Sequence, residues 1–154
     1  MTDYFFDSSG VIKRYIDEVG SKWIRSVMPT SIGHRIHIAQ ITPIEVVSGV
    51  MRRRREGSIT PRTARALRLL VDRHTKREYV VVRLTENIAL MAEDLLEKYP
   101  LRGADAVQLA SAIEINTVIA GIGLSPLIFV SADQRLLAAA VNEGLMTDDP
   151  NLHP

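Results

Sequence analysis

Apolar positions along this chain switch repeatedly between runs that suit strands and spacings that suit helices. Asp3 to Asp7 encloses the apolar run Tyr4-Phe5-Phe6 and predicts a buried first strand. Helices are expected over Gly10 to Asp17 and over about Ser21 to Met28, and Arg35-Ile36-His37-Ile38-Ala39 alternates loosely as a second strand. Thr42-Pro43 is a start signal, threonine as N-cap and proline at the first helical position, for a helix reaching about Arg55 and ended by Gly57. Thr60-Pro61 repeats that signal, and Leu67, Leu70 and Val71 supply the next helix with an apolar face. Tyr79-Val80-Val81-Val82 is a β-branched strand candidate. Thr85 caps a helix through Ile88, Met91, Ala92 and Leu95, which Pro100 terminates. Ala104 to Ala120 is apolar around much of its circumference and is expected to be central and buried. A strand at Leu127 to Val130, a helix at Asp133 to Asn142 and a short strand at Leu145 to Thr147 close the chain. The alternation predicts an α/β fold, a three-layer α/β/α sandwich around a mainly parallel sheet. With 154 residues, 46% of them hydrophobic, residues 1–154 are expected to form one domain with a real core.

Composition narrows the setting. No apolar stretch reaches the ~18 residues that a membrane span needs, and Met1-Thr2-Asp3-Tyr4 does not open a signal peptide. The absence of cysteine excludes disulfide and thiolate chemistry and suits a cytoplasmic protein. Net charge is only +1, but residues 51–77 hold ten of the nineteen Lys/Arg and two acids, so that segment carries +8 and the remainder −7. A basic flank beside an acidic centre suits nucleic acid, phosphates on the flank and a cation in the centre. Long helices presenting arginines to water would give the same segregation.

Four acids stand where an apolar run ends or a helix begins: Asp7, Glu45, Asp105 and Asp133. In an alternating α/β chain, strand C-termini and helix N-termini share the sheet edge where ligands usually bind. Gathered carboxylates repel by ~4 kcal/mol per ionised pair at 4 Å and an effective dielectric of 20. Either some remain protonated or a multivalent cation holds them together. Each acid has a bland reading as well. Thr42-x-x-Glu45 and Ser131-x-x-Gln134 both spell capping boxes, and an acid in a first helical turn complements the helix dipole. Asp105 shares a largely apolar helix and calls for a partner, while Asp7, after an aromatic strand, is the hardest to explain without one.

These residues carry a specific resemblance. Asp7-Ser8-Ser9, Thr42-Pro43-Ile44-Glu45, Leu101 through Ala110 (containing Gly103-Ala104-Asp105) and Phe129-Val130-Ser131-Ala132-Asp133 resemble the PIN domain, in family order over nearly the whole chain. Within that family the chain looks like the single-domain toxin ribonucleases of prokaryotic VapBC-type toxin–antitoxin pairs. The resemblance implies an endoribonuclease dependent on Mg²⁺, with Mn²⁺ tolerated, acting as a toxin restrained by a cognate antitoxin. It makes Asp7, Glu45, Asp105 and Asp133 the acidic quartet of catalysis and metal binding, and Ser9 the hydroxyl beside it. It also implies an RNA substrate, 5′-phosphate and 3′-hydroxyl products, and a homodimer, whose contact Val11 to Met28 or Thr60 to His74 could supply. Gln108 departs from the pattern, since histidine is common there. An oxygen-only donor set suits Mg²⁺, which keeps several waters, and in-line attack of water on phosphorus is the expected reaction. Glu45 or Asp133 would orient or deprotonate that water. Whether one ion or two bind stays open, as do an RNA-processing or DNA-directed role and a non-catalytic binding module.

Other candidates are weaker. His34 and His37 stand too near the strand to define a zinc pair, and His74 and His153 are isolated. Arg52 and Arg53 are candidate substrate contacts, although cations at a helix C-terminus are favourable in any case. Arg62, Arg65 and Arg68 form an exposed stripe. Trp23 is expected in packing or an interface rather than under a base. Gly121-Ile122-Gly123 lacks a following Lys-Ser/Thr and so is no phosphate-binding loop, and no Gly-x-Ser-x-Gly elbow occurs.

Overall fold

The computed structural model describes Met1–Pro154. Five strands are assigned: β1 (Asp3–Phe6), β2 (Arg35–Ala39), β3 (Tyr79–Val82), β4 (Ile128–Val130) and β5 (Met146–Asp148). Seven α-helices accompany them: α1 (Ser8–Val11), α2 (Ser21–Val27), α3 (Thr42–Arg55), α4 (Pro61–Arg77), α5 (Glu86–Lys98), α6 (Gly103–Gly121) and α7 (Gln134–Asn142). The strands form one sheet in the order β3-β2-β1-β4-β5, and every pairing is parallel.

The pleat explains the layering, because successive strand side chains point to opposite faces. Phe6, Ile36, Ile38 and Val130 face one way, into a core with Val11, Ile24, Val46, Val50, Ala64 and Val71 of α1 to α4. Phe5, Ala39 and Phe129 face the other way, onto Ile88, Leu95, Leu109, Leu136 and their neighbours in α5 to α7. The Phe5 and Phe129 rings stack at 5.8 Å between centroids. The expected α/β/α sandwich is therefore present, and its sheet is parallel throughout.

Topology fixes the place of the site. The chain winds from β1 outward to β2 and β3, then crosses through α5 and α6 to β4 on the other side of β1. The order reverses between β1 and β4, and the crevice outside the carboxyl ends of such strands is the usual ligand position in open α/β sheets.

Several expectations change in detail. The helix expected over Gly10 to Asp17 starts earlier, at Ser8, because Asp7 caps it, and tightens into a 3-10 turn at Ile12–Arg14. The last strand sits one residue later than expected. Thr42 is the first residue of α3 rather than its cap: Ile41 takes the cap position, with no side-chain bond. Thr60 and Thr85 do cap α4 and α5, accepting from Thr63 N and Ile88 N. Helix α6 is buried along Ala106 to Ala112, but Val118 near its C-terminus is half exposed. The apolar residues between Val11 and Met28 point into the core, leaving α4, with exposed Leu69 and Leu70, as the better apolar surface. No helix is long and apolar enough to cross a membrane.

Candidate active site at the carboxyl edge of the sheet

Asp7 follows β1 directly and is 3% exposed. Its Oδ1 accepts from Gly10 N at 2.9 Å, which caps α1. Ser9 Oγ lies 2.7 and 2.9 Å from its two oxygens, and Ser131 Oγ donates to Oδ2 at 2.7 Å. Ser131 closes β4 and in turn accepts from Asp133 N at 3.0 Å, while Ser9 Oγ accepts from Ala132 N at 2.9 Å. Two hydroxyls thus lace the ends of β1 and β4 together around one carboxylate. Burial pushes the Asp7 carboxyl up to about 6; the Ser9, Ser131 and Gly10 hydrogen bonds oppose that shift and the Asp105 charge adds to it.

The other three acids share a habit. Asp133 caps α7, its Oδ1 accepting from Arg135 N at 2.8 Å and Leu136 N at 3.2 Å. Asp105, in the first turn of α6, accepts through Oδ2 from Arg102 N at 3.3 Å. Glu45 Oε1 accepts from Gln108 Nε2 at 2.8 Å, and that amide also bonds Thr42 Oγ1 at 3.0 Å. In each case one oxygen is anchored to protein and the second accepts no protein hydrogen bond. Burial raises the Asp105 pKa, and the Asp133 charge raises it further against the lowering effect of Arg102.

Neither capping box read from the sequence forms. Thr42 Oγ1 is spent on Gln108, and Glu45 reaches the same amide. Ser131 is spent on Asp7, and Gln134 Nε2 donates to Asp149 at 2.6 Å. The acids divide between two adjoining clefts. Asp105 and Asp133 line one with Arg102 and Arg135; Glu45 lines the other, of ≈ 550 Å³, with Ser9, Ser48, Arg52, Arg53 and Ala132. Asp7 and its hydroxyls lie where β1 and β4 end. No three carboxylate or histidine side chains close into a ready-made ion cage.

The donor chemistry fits a hard divalent cation. All four groups offer oxygen, three have an uncommitted oxygen, and the charge acting on buried Asp7 is another acid rather than a base. An ion that retains waters can be held by such spaced carboxylates.

Sequence reasoning missed Ser131 and Gln108 as partners of the acids. Ser131-x-Asp133 mirrors Asp7-x-Ser9 in reverse, each a hydroxyl two residues from an acid at a strand end, and that symmetry was the available signal. The histidines lie elsewhere. His37 bonds Asp3 at 2.7 Å at the amino end of β1, and His74 bonds the Tyr15 hydroxyl at 2.9 Å. Trp23 stacks on His153 at 4.3 Å and so serves packing.

The comparisons with known proteins follow the geometry. No curated protein sequence matches. Among solved structures, a toxin–antitoxin complex from Klebsiella pneumoniae aligns with TM-score 0.62 and 17% identity over 96% of this chain and 97% of that one. A VapBC complex from Rickettsia felis bound to promoter DNA gives 0.62 and 10% over 96% and 98%. A VapC toxin from Mycobacterium tuberculosis, described as cleaving the sarcin–ricin loop, gives 0.60 and 16% over 88% and 94%. At these identities the likeness is one of fold. The PIN domain family model matches residues 4–142, from β1 through the last residue of α7, and on that match the chain belongs to the PIN domain family.

Proposed function

We propose that this protein is a Mg²⁺-dependent endoribonuclease, with Mn²⁺ able to substitute, and the toxin of a type II toxin–antitoxin pair. The observation that carries the reading is the buried Asp7 carboxylate at the β1/β4 switch, raised in pKa and facing further acids instead of a base. An isolated buried carboxylate is unfavourable near neutral pH, and a cation would reverse that. Asp7, Asp105, Asp133 and Glu45 would hold the ion, which when bound supplies positive charge to the phosphodiester oxygens.

The chain's own groups do the rest. Ser9 and Ser131 fix both Asp7 oxygens, so the central ligand needs no reorganisation. Gln108 holds one Glu45 oxygen and leaves the other toward the wider cleft. Glu45 there takes the proton from a water attacking phosphorus in line with the departing 3′-oxygen. Asp133 is committed to capping α7 and is less free for that task. The products are a 5′-phosphate and a 3′-hydroxyl. Arg52 and Arg53, in the same cleft as Glu45, meet the RNA backbone.

Toxin–antitoxin complexes of the same fold support a protein partner that covers this edge, and RNA as substrate places the activity in the cytoplasm. Pairing of two copies would use the exposed Leu69 and Leu70 of α4. The test is cleavage of a panel of tRNA, rRNA and mRNA with Mg²⁺ or with EDTA, by wild type and by Asp7→Asn. Cleavage should require both the metal and Asp7. Equal cleavage by the two proteins, from clean preparations, would remove Asp7 from the mechanism.

A further inference from the structure

The wall of the Glu45 cleft contains a charge cluster that the acidic centre does not explain. Glu45, Ser48, Gly49, Arg52 and Arg53 recur at helical spacing, so one face of α3 reads acid, small residue, cation along the cleft. Arg53 is not free. Its guanidinium closes on Glu18 Oε1, while Glu18 Oε2 receives Lys13 Nζ at 3.2 Å. Lys13 is buried, yet the Arg53 and Glu18 side chains are 36% and 29% exposed and line the cleft. Gly49 allows this approach of α3 to the 3-10 turn of Ile12–Arg14, since a Cβ there would stand 2.5 Å from Ile12 Cδ1. Arg52, in the same cleft, has no ion-pair partner.

We infer that Glu18 is an internal competitor for the RNA backbone: its carboxylate occupies, on Arg53, the place of a substrate phosphate. A guanidinium matches carboxylate and phosphate oxygens with the same planar fork, so the two anions exclude each other there. Lys13 keeps Glu18 in position and satisfied when Arg53 turns away, because it supplies a second cation from within the protein. The cleft therefore holds two cationic phosphate contacts beside the acids, Arg52 open and Arg53 latched. The ligand class is single-stranded RNA, bound through phosphates spaced along the strand from the acidic centre. This subsite rests on the proposed nuclease reading for its substrate, but it is read by binding alone.

The experiment measures affinity of a fluorescently labelled single-stranded RNA oligonucleotide in EDTA, where nothing is cleaved, across a salt series. Glu18→Gln retains an oxygen for Lys13 and removes the charge that competes for Arg53. It should tighten binding by about threefold or more, the scale of a partly exposed ion pair. The salt dependence should steepen by ~0.7 in slope, one additional phosphate contact on a single strand. Arg53→Gln should weaken binding and flatten the slope by the same ~0.7. In the Arg53→Gln background, Glu18→Gln should have no further effect. Unchanged or weaker binding by folded Glu18→Gln overturns the inference, as does a gain that persists without Arg53. Should Glu18→Gln not fold, Arg53→Gln alone decides, because wild-type affinity and slope in that variant also overturn it. Loss of cleavage in the panel assay with these binding effects intact would count against the nuclease reading and leave the subsite standing.

Discussion

Asp7 joins two roles that its place in the sequence suggested only singly. It is the cap of α1 and the buried centre of the acid group, and both follow from its position one residue beyond β1. In the metal-free protein its carboxyl titrates near 6 against 3.8 for the unperturbed group. Because the folded state holds this proton more tightly than the unfolded chain, stability falls as pH rises from about 4 to about 6 and stays lowered above that. A shift of about two units corresponds to about 3 kcal/mol. Urea unfolding in EDTA should therefore show the wild type gaining stability between pH 7.5 and pH 5 relative to Asp7→Asn. An identical pH dependence for the two proteins would show that Asp7 does not titrate in this range. The four acids were legible as residues because each ends an apolar run or opens a helix. Ser131, Gln108 and Glu18 were not, since each acquires its meaning from a partner 124, 63 or 35 positions away.

Elements were most legible where local chemistry is decisive. Thr60-Pro61 and Thr85 start their helices as the sequence states, and Tyr79 to Val82 is a strand from its β-branched run. Thr42-Pro43 carries the same signal but acts differently, because the Gln108 amide takes the threonine hydroxyl for a contact between α3 and α6. That contact is testable. Gln108→Leu leaves the buried Thr42 hydroxyl without its partner and releases Glu45, and should cost about 1–3 kcal/mol in chemical denaturation. Gly20, at the start of α2, is a sharper case. Its φ is +86° and a Cβ there would lie 2.1 Å from the Pro150 carbonyl oxygen. Gly20→Ala should lower the unfolding midpoint more than alanine at Gly57, where φ is +80° but the space is open. Equal losses at the two positions would mean the C-terminal segment yields freely to α2. Neither the Pro150 contact nor the 3-10 tightening after Val11 has a local sequence mark.

At the scale of the whole molecule, the sheet order explains why distant acids meet at one edge and why they are not drawn into a cage. Strand–helix alternation made the parallel sandwich readable, but the reversal at β1 is set by which side the α5–α6 crossover takes, and no local pattern encodes that. The reversal puts Asp7 and Asp133 on neighbouring strand ends and hangs Glu45 and Asp105 from helices on opposite faces of the sheet. Such an edge is stressed without a cation: Asp105 raises the pKa of Asp7, and Asp133 raises that of Asp105. Function and stability then oppose each other. In EDTA at pH 7.5, Asp105→Asn removes a repulsive charge and should melt at or above the wild-type temperature. With Mg²⁺ at about 100 times its dissociation constant, the wild type should gain about 2.7 kcal/mol by mass action. That corresponds to roughly 5–10 °C for a chain of this size. Asp105→Asn should gain much less, so the order of the two proteins inverts between EDTA and Mg²⁺. A wild type that melts at one temperature in both conditions, at saturating metal, would show that these carboxylates are not gathered for an ion and that their repulsion is relieved by protonation alone.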